Sequence, residues 1–155
     1  SRDGDNYGGT VSYDLGAQFL IIGGRQIGGY AEEGGVEYEF ASDRTEVVVG
    51  ADGQVTVSRL NNNLMFVNIT VMESTKGYRD LAEMYATQAA QESIEPLNYL
   101  HEDPINGDKV TDQYAAFIQI PAPSKAKTAG ERMFRLALPN AGDPTKLKLG
   151  ANVTQ

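Results

Sequence analysis

The chain has 155 residues, a formal net charge of −8, one histidine, and no cysteine or tryptophan. This length suits a single domain, residues 1–155, with a real hydrophobic core. The missing thiols exclude disulfides and thiolate metal sites, and His101 alone cannot build a multi-histidine centre. No apolar run approaches the ~20 residues of a membrane helix, and an acidic chain lacks the basic face that grips nucleic acid.

The first nine residues, SRDGDNYGG, are polar and glycine-rich. They read as part of a flexible arm over 1–10 with no signal-peptide core, which predicts a soluble protein made in a cytoplasm. Residues 11–22 form the first strand candidate and end in Phe19-Leu20-Ile21-Ile22. Gly23 to Gly29 reads as a flexible connection. Residues 36–40 alternate: Val36, Tyr38 and Phe40 are predicted to face the core, with Glu37 and Glu39 on the wet side.

A β-hairpin follows, with arms at 45–49 and 54–59 and a Gly50-Ala51-Asp52-Gly53 turn. Its first arm carries valine on both faces (Val47, Val48, Val49), and its second is mixed with Gln54, Thr56 and Ser58. Such a hairpin is marginal alone in water. It must pack on its own core or against another copy of the chain.

Residues 64–73 give the strongest strand, with Met65, Val67, Ile69 and Val71 on one face. Ser74 or Thr75 can cap a helix over about 76–91. Its predicted inner stripe is Tyr78, Leu81, Ala82, Tyr85 and Ala89, with Arg79, Asp80, Glu83 and Gln91 off it. Tyr99–Asp103 and Lys109–Ile120 flank Asn106-Gly107 and read as a second hairpin, stopped by Pro121-Ala122-Pro123. Ser124–Gly130 is a basic loop. Arg132–Leu138 is the last clear strand, with Phe134, Leu136 and Leu138 inward and Arg135 outward. A C-terminal arm over 139–155 contains Lys146-Leu147-Lys148-Leu149-Gly150, a candidate edge strand or docking segment. The fold class is therefore mainly β: a β-sandwich or partly closed antiparallel barrel with one flanking helix.

Searches for chemistry find little. The glycines at 23, 24, 28 and 29 lack dinucleotide-loop spacing, and no phosphate-loop lysine follows them. Asp3, Asp5, Gly8 and Asp14 match part of a calcium loop, but Tyr7 breaks it. His101 reads as a surface or turn residue beside Glu102 and Asp103, and no nucleophile motif accompanies it. No catalytic residue, metal or cofactor is expected. The charge is uneven: residues 1–124 carry a net −12 and residues 125–155 a net +4. This reads either as a solvated acidic surface with a basic tail or as opposite patches that favour head-to-tail association.

The run AEEGGVEYEF, then EVVVGADGQV, then a strand, then a helix ending near AEMYATQAAQ, resembles the tail tube proteins of tailed bacteriophages, particularly those of Mu-like contractile-tailed phages. The resemblance spans about residues 11–138. It implies a β-sandwich-like subunit that forms hexameric rings. The rings stack into a virion tail tube, assembled in the host cytoplasm, that conducts DNA during ejection without binding it specifically. The implied partners are other copies of the chain and a tail sheath or other tail proteins, with no membrane. Glu37 and Glu39 are then expected to line the lumen, where negative charge lets phosphate slide. Val47, Val49, Asp52, Gly53 and Val55, with Lys125, Lys127, Lys146 and Lys148, are expected at contacts between subunits or rings. The reading from a different class is a monomeric β-sandwich module that binds carbohydrate or calcium.

Overall fold

The computed structural model describes residues 18–30, 35–123 and 130–150. Nine strands and one helix occur among them: β1 Phe19–Ile22, β2 Arg25–Gln26, β3 Val36–Phe40, β4 Thr45–Val49, β5 Val55–Arg59, β6 Met65–Met72, α1 Lys76–Ala89, β7 Leu97–Asp103, β8 Asp108–Gln119 and β9 Glu131–Leu138. Residues 11–17 of the predicted first strand, the calcium-like run, and Lys125 and Lys127 lie outside the described residues.

Seven strands form one antiparallel sheet in the order β2-β1-β7-β8-β9-β6-β3, and β4-β5 stands apart. The 12-residue β8 makes this sheet fold on itself. Its residues up to Ala115 pair with β7, and those from Ala116 pair with β9 across an irregular register. The two half-sheets thus share one strand and enclose the core between their inner faces. Tyr38 of β3 reaches across to Tyr99 and His101 of β7, so the far edge of one half closes on the other. The architecture is mainly β with one helix, as the alternation and turn signals predict.

Alternation places the core. Met65, Val67, Ile69 and Val71 are buried on β6, and Phe134, Leu136 and Leu138 on β9, each at two-residue spacing. Leu20 and Ile22 of β1 and Leu81 and Met84 of α1 complete it.

Several expectations need correction. The segment after β1 is an ordered tight turn. Gly23 and Gly24 adopt positive φ, β2 pairs back on β1, and Ile27 enters the core. Phe40, at the end of β3, is exposed, and the Arg44 guanidinium lies 4.7 Å from its ring centroid. Of the two ways open to the hairpin, packing on its own core is not what Val47, Val48 and Val49 do: all three are exposed. The helix is rotated from its predicted stripe. Thr75 caps it, but the buried residues are Gly77, Asp80, Leu81, Met84 and Gln88, while Ala89 is exposed. Tyr78 and Tyr85 lie at the margin against Phe134 and Phe117.

The buried polar residues on that face are satisfied. Asp80 accepts from Lys76 Nζ at 2.7 Å and Arg25 Nη1 at 3.0 Å. The Lys76 hydrogen bond, helped by Arg25, holds its carboxyl below the usual carboxylate range. The Gln88 amide donates to the carbonyls of Glu95 and Ala115, and its Oε1 accepts from Phe117 N–H at 3.1 Å. It thereby serves the backbone of β8 where β7 departs. Gly77 is needed for close approach, because a Cβ there would stand 1.9 Å from the Gly28 carbonyl oxygen.

Candidate assembly interface

The β4-β5 hairpin comes first. Glycines at each end set its turn: Gly50 N–H donates to Gln54 O at 2.7 Å, Gly53 takes a φ of 85°, and Asp52 Oδ1 accepts from Gln54 N–H at 3.0 Å. The register pairs Val47 with Val57 and Val49 with Val55. Directly paired residues share a face, as do residues two apart along a strand. Val47, Val49, Val55 and Val57 therefore form one four-valine face, and Glu46, Val48, Thr56 and Ser58 form the other. All ten strand residues are exposed, and the four valines are 61–64% exposed. The hairpin does not bury its apolar face on its own body. Its base is held by Arg44, which donates to the carbonyls of Asn62 and Gly142 at 2.7 and 2.6 Å.

The second surface is the outer face of the β3-β6-β9 half-sheet. Glu37 and Glu39 are both exposed there, opposite Asn68 and Phe66 of β6. Glu39 is ion-paired with Arg135 of β9. Arg135 also donates to Asn68 Oδ1 at 2.8 Å, and its guanidinium lies 4.3 Å from the Phe66 ring centroid. The face is thus acidic with its one arginine occupied. The inner side of the same strand carries Tyr38, which the alternation correctly turns inward.

The Tyr38 hydroxyl sits 2.6 Å from Tyr99 Oη and 2.6 Å from His101 Nδ1. His101 Nε2 faces Gln18 Oε1 at 2.8 Å. An amide oxygen only accepts, so Nε2 carries the proton, Nδ1 accepts from Tyr38, and Tyr38 accepts from Tyr99. His101 is therefore a half-buried strand residue, not the turn residue that its acidic neighbours suggest. Burial lowers its pKa against the opposing pull of Asp103 and Asp108, and burial raises both phenols well above their ordinary value. Tyr99, Tyr38 and His101 are thus partnered to one another and to Gln18, and among the described residues no serine or threonine hydroxyl is bonded to the imidazole.

The third surface is the segment after β9. Lys148 pairs with Lys109 by two backbone hydrogen bonds of 2.9 and 3.0 Å, so the predicted edge segment does join β8. Lys146 and Lys148 are exposed. Gly150 N–H donates to Asp108 Oδ1 at 2.7 Å, and a Cβ on Gly150 would stand 1.6 Å from the Asn106 carbonyl oxygen.

The family model for the bacteriophage PhiTE tail tube protein matches residues 13–137. The chain belongs to this family. As a phage tail tube protein it has a structural role, a place in the virion tail, and assembly with itself and other tail proteins as its way of acting. No curated protein matches the chain. The family match is to PhiTE, and the narrower likeness to Mu-like tubes is a matter of sequence pattern alone.

Proposed function

We propose that the chain is the repeating, non-enzymatic subunit of a tube: hexameric rings stack, and their common channel conducts genomic DNA during ejection. One observation carries this reading. A tail tube protein with an ordered, exposed, four-valine hairpin has an apolar surface that its own fold leaves uncovered. A neighbouring subunit covers it.

The sheet supports continuation between subunits. β3 is an edge strand. Ala41 N–H donates to Leu64 O and Thr70 N–H to Gly35 O. By antiparallel alternation, residues 35, 37, 39 and 41 bond to β6, which leaves the N–H and C=O of Val36, Tyr38 and Phe40 facing outward. An extended segment of an adjacent subunit can add there. The outer face then continues into the channel wall, with Glu37 and Glu39 lining it. Six subunits at −8 give each ring a formal −48, and a negative wall repels phosphate so the duplex slides. Val47, Val49, Asp52, Gly53 and Val55 make the principal contacts, and Lys125, Lys127, Lys146 and Lys148 meet acids of neighbours to set register, at about 0–1 kcal/mol per exposed pair. Sheath or other tail proteins bind outside, and assembly takes place in the host cytoplasm.

Negative-stain electron microscopy of the purified protein tests the reading. Open stacks of six-membered rings are expected, whereas a monodisperse monomer at high concentration refutes it. A tube reconstruction with Glu37 and Glu39 on the outer wall removes the lumen assignment.

A further inference from the structure

A chain that assembles head to tail needs two different, complementary surfaces. Two open sheet edges can supply them. Among the described residues, β3 has no strand beyond it, and β4-β5 pairs with no other strand. An open edge bonds a new strand through its backbone, so the directions of its N–H and C=O groups decide what fits.

On β3 these groups point outward at Val36, Tyr38 and Phe40, whose side chains share the inner face of the sheet. The hairpin has the same relation. Leu60 N–H donates to Arg44 O at 3.1 Å, and Gly50 N–H to Gln54 O at 2.7 Å. By alternation Glu46 bonds to Ser58 and Val48 to Thr56. That leaves the backbone groups of Thr45, Val47 and Val49 free along one edge, and those of Val55, Val57 and Arg59 free along the other. In both elements the residues with free backbone groups therefore carry the apolar face.

Antiparallel pairing sets such residues directly opposite one another, with their side chains on one side. It joins the valine face to the inner face of β3 and the polar face of the hairpin to the outer one. Parallel pairing is staggered by one residue and would set valines beside Glu37 and Glu39. The two hairpin edges also differ. With Val47 opposite Tyr38, β4 brings Glu46 directly opposite Glu39, and like charges so placed are destabilising. With Val57 opposite Tyr38, β5 sets Thr56 opposite Glu39 and Ser58 opposite Glu37, so hydroxyl donors meet carboxylates. Val55 then stands beside the exposed Phe40. Arg59 falls opposite Val36, which lines one hollow with Asp103 and Asp108. β3 and β5 have five residues each, so the edges match in length.

We propose that the β5 edge of one copy's hairpin adds antiparallel to the β3 edge of the next copy, with Val57 opposite Tyr38. The inference rests on the tube reading and names the strand that continues the sheet from subunit to subunit in it.

Two experiments separate this pairing from the reading beneath it. Val57→Pro removes an N–H that the hairpin itself does not use, so the thermal melt of the body should match the parent's. Val47→Pro does the same on the β4 edge and sets the cost of one lost valine. Val57→Pro should raise the concentration needed for assembly at least about tenfold beyond Val47→Pro. Equal effects, or a larger one from Val47→Pro, overturn the pairing and leave the tube reading standing. The chain has no cysteine, so engineered pairs can be read without background. Glu37 and Ser58 are exposed and would form a non-hydrogen-bonded pair with Cα atoms about 4.5 Å apart, within disulfide range. Mild oxidation of assembled Glu37→Cys/Ser58→Cys particles should give a ladder of covalent oligomers on a non-reducing gel, and Glu37→Cys/Val48→Cys particles should not. A ladder from the Val48 pair alone, or from neither, overturns the pairing. Failure of the unmodified protein to assemble removes the pairing and the tube reading together.

Discussion

Aspartate at both Val47 and Val49 should leave a folded, soluble subunit that no longer assembles. The two side chains are 62% and 64% exposed in the single subunit. Fully burying a valine contributes about 1.5–3 kcal/mol, so docking that covers the remaining three-fifths gains roughly 1–2 kcal/mol at each site. Alanine keeps the shape of the hairpin but removes two methyls per valine. At ~0.8 kcal/mol per buried carbon, scaled by the same exposure, the alanine pair costs about 2 kcal/mol per interface, a roughly 30-fold weaker association. Aspartate loses the whole apolar gain and also forces two carboxylates into a contact that expels water, a further cost of several kcal/mol. Within the subunit the only losses are the cross-strand pairs with Val57 and Val55, each about 0.2–1 kcal/mol and confined to the hairpin. The assay compares the critical concentration for pelleting, particle images and the thermal melt of the body. The expected order is parent, alanine pair, aspartate pair for assembly, with melts that agree closely. Normal tubes from the aspartate variant would refute the reasoning.

Gln88→Leu should destabilise the subunit by roughly 2–4 kcal/mol, because Ala115 O and Phe117 N–H lose their side-chain partner in a buried setting; a urea midpoint unchanged within error would show that β8 repairs the gap itself. His101 gives a pH signature. Its folded pKa lies below the unfolded value of about 6.5, so the unfolded chain binds more protons between the two. The stability that His101 contributes is complete above about pH 6.5 and is lost as pH falls toward the folded pKa. Comparing melts of the parent and His101→Gln from pH 7 to 4.5 should show the slope in this window only in the parent. Equal slopes would mean that protonation does not disturb the Tyr99–Tyr38–His101 chain.

Strand content was legible where one face is buried and the other wet. Met65 to Val71 and Phe134 to Leu138 have that simple alternation, and their burial follows it. The Asp52-Gly53 and Asn106-Gly107 signals marked true turns because Gly53 and Gly107 take positive φ. The helix face was misread for a physical reason. Hydropathy sends Asp80 and Gln88 outward, yet each is buried with its own hydrogen-bond partners, supplied by residues distant in sequence such as Arg25 and Phe117. β2 is two residues long and too short to show any period. The role of His101 was hidden because Tyr38, 63 positions away, creates it. The hairpin was the most legible candidate: valine on both faces of a short arm marks a surface in need of cover. That the subunit itself leaves this face exposed required the structure.

The hairpin also sets conditions on the life of the free subunit. A two-stranded ribbon has a row of unpaired backbone groups along each outer edge, and here the ribbon also has an apolar face. Such an element recruits any strand that reaches it. Before incorporation, mutual repulsion between chains of formal charge −8 is the opposing force. That repulsion reaches about 30 Å at 0.01 M salt but only about 10 Å at 0.1 M. Ionic strength should therefore govern the shelf life of the unassembled protein: light scattering from a stock is expected to stay flat in dilute buffer and to rise sooner as salt is added.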